Sequence, residues 1–125
     1  MKARTKAILR TVNMRRVWNL ALLKTSFQLS AVLKKPIHWG KPMAISIEPT
    51  TTCNLKCPQC PSGLRNFTRP TGNLELEMNE KILQEVGKQL QHINYYFQGE
   101  PFVHPDFLNL VRAARKRNIY VVTST

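Results

Sequence analysis

The apolar positions change period twice along this chain, and the changes mark its elements. In "MKARTKAILRTVNMRRVWNLALLKTSFQLSAVLKK", Ile8, Leu9, Val12, Leu20, Leu23 and Phe27 can share one broad helical face, which predicts a basic amphipathic helix over 1–35. "KKPIHWGKP" breaks that pattern with two prolines and a glycine, so 36–43 reads as a connector. In "MAISIEP", Ile45 and Ile47 alternate with smaller or polar residues as in a strand, and Pro49 ends it. A loop-like stretch, "TTTCNLKCPQCPSGLRNFTRPTG", comes next. Helical spacing returns in "LEMNEKILQEVGKQLQH", with Asn79 as the expected N-cap and Ile82, Leu83, Val86 and Leu90 on one face. "INYYF" reads as a second strand running into "QGEP". "HPDFLNLVRAARKRN" reads as a second helix, with Phe107, Leu110 and Val111 inward, basic residues at its C-terminal end and Asn118 as its stop. "IYVVTST" is a third strand.

The order after the connector is therefore β-α-β-α-β. Strands joined through helices of this length need right-handed crossovers, so the sheet is parallel and the fold class is α/β. Parallel sheets are covered on both faces or closed into barrels, and three strands are too few to close one. The loop with the cysteines follows the first strand, "QGEP" follows the second, and Thr123, Ser124 and Thr125 end the third. All three lie at carboxyl ends of parallel strands, where such sheets and barrels build their ligand sites.

Charge adds a second division. The 125 residues carry a formal charge of +12, yet residues 1–43 hold ten Lys or Arg and no acid, leaving nine basic and seven acidic residues, +2, for 44–125. The basicity belongs to the leader. Three readings of it compete: a helix packed on the domain behind it with its cations solvated, a helix lying on an anionic membrane surface or nucleic acid, and a cleaved transit peptide. A secretory signal fits poorly, because the clearest apolar stretch, Val17 to Leu23, is short and interrupted by Asn19. No run approaches the ~20 apolar residues of a membrane span.

Every cysteine falls within "CNLKCPQC": Cys53, Cys57 and Cys60. An odd number leaves one thiol outside any disulfide framework, and a structural zinc site ordinarily takes four ligands. The triplet is thus an incomplete site or an open one. Thiolates are soft ligands suited to zinc, copper(I) or iron–sulfur clusters. Three cysteines on a four-iron cluster would leave one iron open to bind a further ligand. The competing readings are a zinc module with His104 or His92 as fourth ligand, and free thiols beside a basic nucleic-acid- or membrane-binding module. His38, in the connector, reads as solvated, and His104 as a residue leading into the second helix. Arg65 and Arg69 read as exposed loop charges more than as anion-steering groups.

C-x3-C-x2-C directly after the first strand, with "QGEP" after the second, resembles the radical S-adenosylmethionine (radical SAM) superfamily, whose second-strand element is Gly-Gly-Glu-Pro. The likeness covers about 43–125, and its flavour is that of the SPASM and molybdenum-cofactor-type branch. The resemblance implies a partial (β/α) barrel over 44–125. It implies that Cys53, Cys57 and Cys60 each ligate one iron of a [4Fe-4S] cluster, and that the fourth iron chelates S-adenosylmethionine. Reductive cleavage of that cofactor would give methionine and a 5′-deoxyadenosyl radical that abstracts hydrogen from a substrate. Gln98, Gly99, Glu100 and Pro101 would line the methionine end, Gly99 allowing close backbone approach, with Thr123 and Thr125 beside the cofactor.

Gln59 departs from the aromatic residue often found before the third cysteine, and Gln98 replaces the first glycine of the second-strand element. A main-chain contact survives either change. The family's barrel has more βα units than are written here, so the chain reads as the first part of a longer protein, with completion by a partner as the alternative. The partners implied are a flavodoxin- or ferredoxin-like electron donor and a peptide or small-molecule substrate, with no nucleic acid. The setting implied is cytoplasmic.

Overall fold

The structure is a computed structural model that describes residues 2–125, with side chains from residue 5 onward. Its elements are α1 (Lys2–Leu9), α2 (Met14–Leu33), β1 (Ala44–Ser46), α3 (Leu76–Val86), β2 (His92–Asn94), a short 3-10 turn (Pro101–Val103), α4 (Phe107–Lys116) and β3 (Tyr120–Val122). The strands are all parallel in the order β1-β2-β3, with Ile45 opposite Ile93 and Ile93 opposite Val121. Backbone bonds from Gln91 to Met43, Ile47 to Asn94, Tyr95 to Val122 and Tyr120 to Gln91 extend the pairing beyond the three-residue ladders. This is the expected β-α-β-α-β order of a parallel α/β fold.

Side chains alternate across a strand, so Ile45, Ile93 and Val121 share one face of the sheet. That face meets α3 and α4 in the core: Leu83, Leu90, Ile93, Tyr95, Phe107, Leu110, Ala114 and Ile119 are buried, with Ile47, Val86 and Val111 packed against them. Tyr95 and Phe102 each meet the Phe107 ring edge-on, at 6.3 and 5.0 Å between centroids. The opposite face of β1, bearing Ala44 and Ser46, is open. Asn118 stops α4 in the left-handed conformation, φ 54°, as a helix-ending Asn does.

Two helix boundaries differ from the periodicity. α3 begins at Leu76, one turn before Asn79, so Asn79 is not its N-cap. Its side chain instead points into the core, where Oδ1 accepts the Tyr95 hydroxyl at 2.6 Å. α3 also ends at Val86 and not near His92: Gly87 lies against Leu83 O and the Arg117 side chain, and the chain turns there. Leu90 still enters the core from that turn.

The leader is helical in two pieces. Thr11 and Val12 close the end of α1, and Asn13 caps α2 by accepting the Arg16 N–H at 3.0 Å. Its burial pattern follows the amphipathic expectation only in part, with Ile8 and Leu23 half-buried. Leu9, Val12, Leu20 and Phe27 are exposed, while the buried residues of α2 are Arg16, Asn19 and Ser26. The guanidinium of Arg16 donates to Thr11 O, to Asn118 O at 2.9 Å and to Arg117 O at 3.3 Å, so it satisfies carbonyls left over at the end of α4. Burial lowers the pKa of this group. Asn19 clamps the connector, donating to Lys41 O and accepting from Lys41 N, both at 2.8 Å. Gly40 sits where a Cβ would strike the Leu23 side chain. Polar contacts with specific backbone groups, more than an apolar stripe, hold α2 in place.

Candidate functional site

Residues 51–72 leave the sheet as one excursion with a locked neck. Thr50 and Asn73 form an antiparallel bridge, Leu74 N donates to Pro49 O at 2.8 Å, and Thr51 N donates to Gly72 O at 3.0 Å. The hydroxyls of "TTT" reinforce it: Thr50 Oγ1 donates to Asn73 Oδ1 at 2.6 Å, and Thr51 Oγ1 accepts from Gly72 N at 2.7 Å. The three cysteines lie on this loop. Cys57 is exposed, Cys53 and Cys60 are half-buried, and none is in a disulfide.

The loop is turned around its own thiols. Cys60 N donates to Cys57 O and Leu64 N to Cys60 O, which winds 57–64 into tight turns. Gly63 is required by this winding, since a Cβ there would lie 2.5 Å from Cys57 N and 2.7 Å from Cys57 O. Leu55 N donates to Cys53 Sγ at 3.4 Å. The N–H groups of Gly63 and then Ser62 bond the Cys60 sulfur and lower its pKa, favouring the thiolate.

The "QGEP" loop is stitched to the cysteine loop from below. Gly99 has φ 76°, and a Cβ on it would lie 2.0 Å from Thr50 O and 3.0 Å from Thr52 O. Gly99 N donates to Ser62 Oγ at 3.0 Å, and Glu100 N donates to Thr52 O at 2.8 Å. Ser62 thus touches both Cys60 and Gly99. Sequence reasoning passed over this buried serine; its only signal was its place two residues after the third cysteine. Glu48, at the end of β1, was missed as well. Its carboxylate accepts from Arg69 at 2.8 Å on each oxygen, and Arg69 also reaches Gln98 Oε1 at 3.2 Å and lies 5.2 Å over the Phe67 ring. Arg69 is therefore exposed, as expected, and also partnered, a strap between loop and rim. Thr51, Thr52, Cys53, Ser62, Arg65 and Arg69 border a cavity of about 500 Å³ beside the first cysteine.

The other expected residues are placed as follows. Glu100 carries its side chain to Phe102 N at 3.4 Å, capping the 3-10 turn whose first residue is the buried Pro101. Thr123 is exposed at the end of β3, and its hydroxyl donates to Tyr95 O at 3.0 Å. Thr125 is exposed two residues further on. Neither histidine joins the cysteines. The Nδ1 atom of buried His104 accepts from Asp106 N at 2.9 Å, which leaves Nε2 to donate to Leu74 O at 2.9 Å. His92 opens β2, at the amino end of a strand whose carboxyl end carries the site. Among the described residues, no three His, Cys, Asp or Glu side chains already converge as a metal site.

The matches to known proteins fall on this part of the chain. Residues 47–125 match the model of the radical SAM superfamily. The chain belongs to that superfamily. Its cofactors are a [4Fe-4S] cluster and S-adenosylmethionine. Three accessible thiols with N–H donors aimed at two of their sulfurs are a donor set that fits such a cluster. Among its relatives, a tungsten-containing aldehyde ferredoxin oxidoreductase cofactor-modifying protein of Pyrococcus furiosus is 33% identical over 81 residues, 63% of this chain and 22% of that protein. PqqA peptide cyclases of Gluconobacter oxydans and Streptomyces rochei are 32% and 35% identical over 80 and 83 residues, each 22% covered. The chain thus spans about a fifth of the length of these relatives. The crystal structure of Streptococcus suis SuiB bound to S-adenosylmethionine superposes with a TM-score of 0.55 at 19% identity, over 84% of this chain and 30% of that one, a likeness of fold.

Proposed function

We propose that this chain carries the cluster-binding portion of a radical SAM enzyme that modifies a peptide or protein. In this reading Cys53, Cys57 and Cys60 hold three irons of the cluster. When bound, the cluster supplies the electron that cleaves S-adenosylmethionine at its sulfonium, the source of this superfamily's radical chemistry. The chain's own contribution is positional. The N–H groups of Gly63 and Ser62 favour the thiolate of Cys60, Leu55 N–H bonds Cys53 Sγ, and Ser62 fixes the depth of the cysteine loop against Gly99. Gly99 brings the backbone of 98–101 under that loop at a distance that any side chain would prevent. Main-chain groups of Gln98, Gly99, Glu100 and Pro101 would line the methionine end of the cofactor, with Thr123 and Thr125 on the same rim. The Glu100 carboxylate, already bonded to Phe102 N, has less freedom for that task.

The observation that carries the reading is the Ser62 bridge, which joins the cysteine loop and the second-strand loop at one end of a parallel sheet. The peptide assignment rests on the peptide cyclases among the relatives. A flavodoxin- or ferredoxin-like donor, a cytoplasmic setting, SPASM-branch membership and the division into leader (1–35), connector (36–43) and barrel portion (44–125) belong to the same proposal. No helix among the described residues is long and apolar enough to cross a membrane.

The test is anaerobic reconstitution with iron and sulfide, then EPR of the reduced protein with and without S-adenosylmethionine. The expected result is a reduced-cluster signal that changes when the cofactor is added and is absent in Cys57→Ala. Tight zinc binding with no iron uptake would overturn the proposal.

A further inference from the structure

The side of α2 turned away from its buried residues is a surface that the cluster chemistry does not use. On a helix, positions 14, 17, 18, 21, 25, 28 and 32 run along one side. All seven are exposed, five are apolar (Met14, Val17, Trp18, Ala21 and Val32), and the other two, Thr25 and Gln28, are uncharged. Met14 is 82%, Trp18 68% and Val32 77% exposed, far beyond what a scatter of surface apolar residues requires. The opposite side is the one that binds the domain, through Arg16, Asn19 and Ser26. Cations flank the apolar side and never interrupt it: Arg15 and Lys24 lie on its margins, and Lys34 and Lys35 lie just beyond its end, all exposed.

We propose that this side of α2 docks on an anionic phospholipid surface, lying in the interface plane with Met14, Trp18 and Val32 entering the headgroup boundary. A helix with an apolar side, a cationic border and no acid is the arrangement such a surface selects. The ten basic residues and absence of acid over 1–43 supply the charge complementarity. They also oppose pairing with a second copy of the same leader. A nucleic acid would place phosphates against cations along the centre of the contact, where this helix has none. The inference is independent of the cluster reading, since it uses neither the cysteines nor the loops around them.

The experiment is flotation of the full chain with vesicles of phosphatidylcholine alone and with about 30% phosphatidylglycerol, at salt from about 0.05 to 0.5 M. Binding is expected only to the anionic vesicles and should weaken as salt rises. The combined variant Met14→Gln, Trp18→Gln, Val32→Gln keeps the net charge and alters only exposed side chains. It should lose binding at least tenfold with an unchanged far-UV spectrum and thermal midpoint. Lys24→Gln with Lys34→Gln and Lys35→Gln should weaken binding and flatten the salt dependence. Failure of the folded chain to float, unchanged binding by the triple Gln variant, tighter binding to an RNA duplex than to vesicles, or a solution dimer abolished by that variant would each overturn the proposal.

Discussion

Replacing Gly99 with Ala tests whether the two rim loops are locked together as tightly as their contacts imply. Gly99 has φ 76°, a left-handed backbone that costs an L residue about 1–2 kcal/mol. The added Cβ would also lie 2.0 Å from Thr50 O and 3.0 Å from Thr52 O. Both are backbone atoms at the neck of the cysteine loop, so no side chain can swing away. Relief requires the loops to part, which weakens the Gly99–Ser62 and Glu100–Thr52 bonds, and overpacking of this kind costs about 1–3 kcal/mol. The sum, about 2–5 kcal/mol, is a large fraction of the ~5–15 kcal/mol that holds a domain folded. Urea unfolding followed by far-UV circular dichroism should show a lower midpoint for Gly99→Ala at unchanged slope. Gly72→Ala is the control, because a Cβ there meets nothing within 4 Å; it should fall within about 0.5 kcal/mol of the parent. A Gly99→Ala midpoint as close to the parent as that of Gly72→Ala would refute the argument.

Other consequences can be measured on the same chain. Burial pushes the Tyr95 hydroxyl pKa up to about 12, so above pH 10 the unfolded chain releases this proton first and the folded state loses stability as pH rises towards 12. The loss approaches about 3 kcal/mol, and Tyr95→Phe should remove that component of the alkaline slope in urea melts while costing about 1–2 kcal/mol at neutral pH through the unpaired Asn79 oxygen. Arg16→Met should cost about 2–4 kcal/mol, because carbonyls at the end of α4 lose charged donors, and should speed proteolytic release of the leader. Arg16→Lys should rescue little of this, since one ammonium lacks the guanidinium fork. Arg69→Ala should change global stability by about 1 kcal/mol, as the Arg69 side of its ion pair with Glu48 is half exposed to solvent, yet raise protease cleavage within residues 61–71.

What the sequence determined by itself was the local and the periodic. Apolar spacing was enough for the parallel β-α-β-α-β order, for the inward faces of α3 and α4, and for the Asn118 stop. C-x3-C-x2-C and "QGEP" could be placed at strand ends because a parallel sheet puts its loops on one rim. What only the tertiary structure decided were side chains whose partners are distant along the chain. Asn79 reads as a cap until Tyr95, 16 residues away, takes its oxygen in the core. Ser62 is an ordinary loop serine until Gly99, 37 residues away, donates to it. Arg16 reads as one more solvated cation of a basic leader, yet it is buried against carbonyls more than 100 residues away. Helical periodicity assumes that apolar residues face inward. On α2 the inward contacts are mainly hydrogen bonds to fixed backbone atoms, which hydrophobic spacing does not encode, so Leu20 and Phe27 stay exposed on the side that carries the buried Arg16, Asn19 and Ser26.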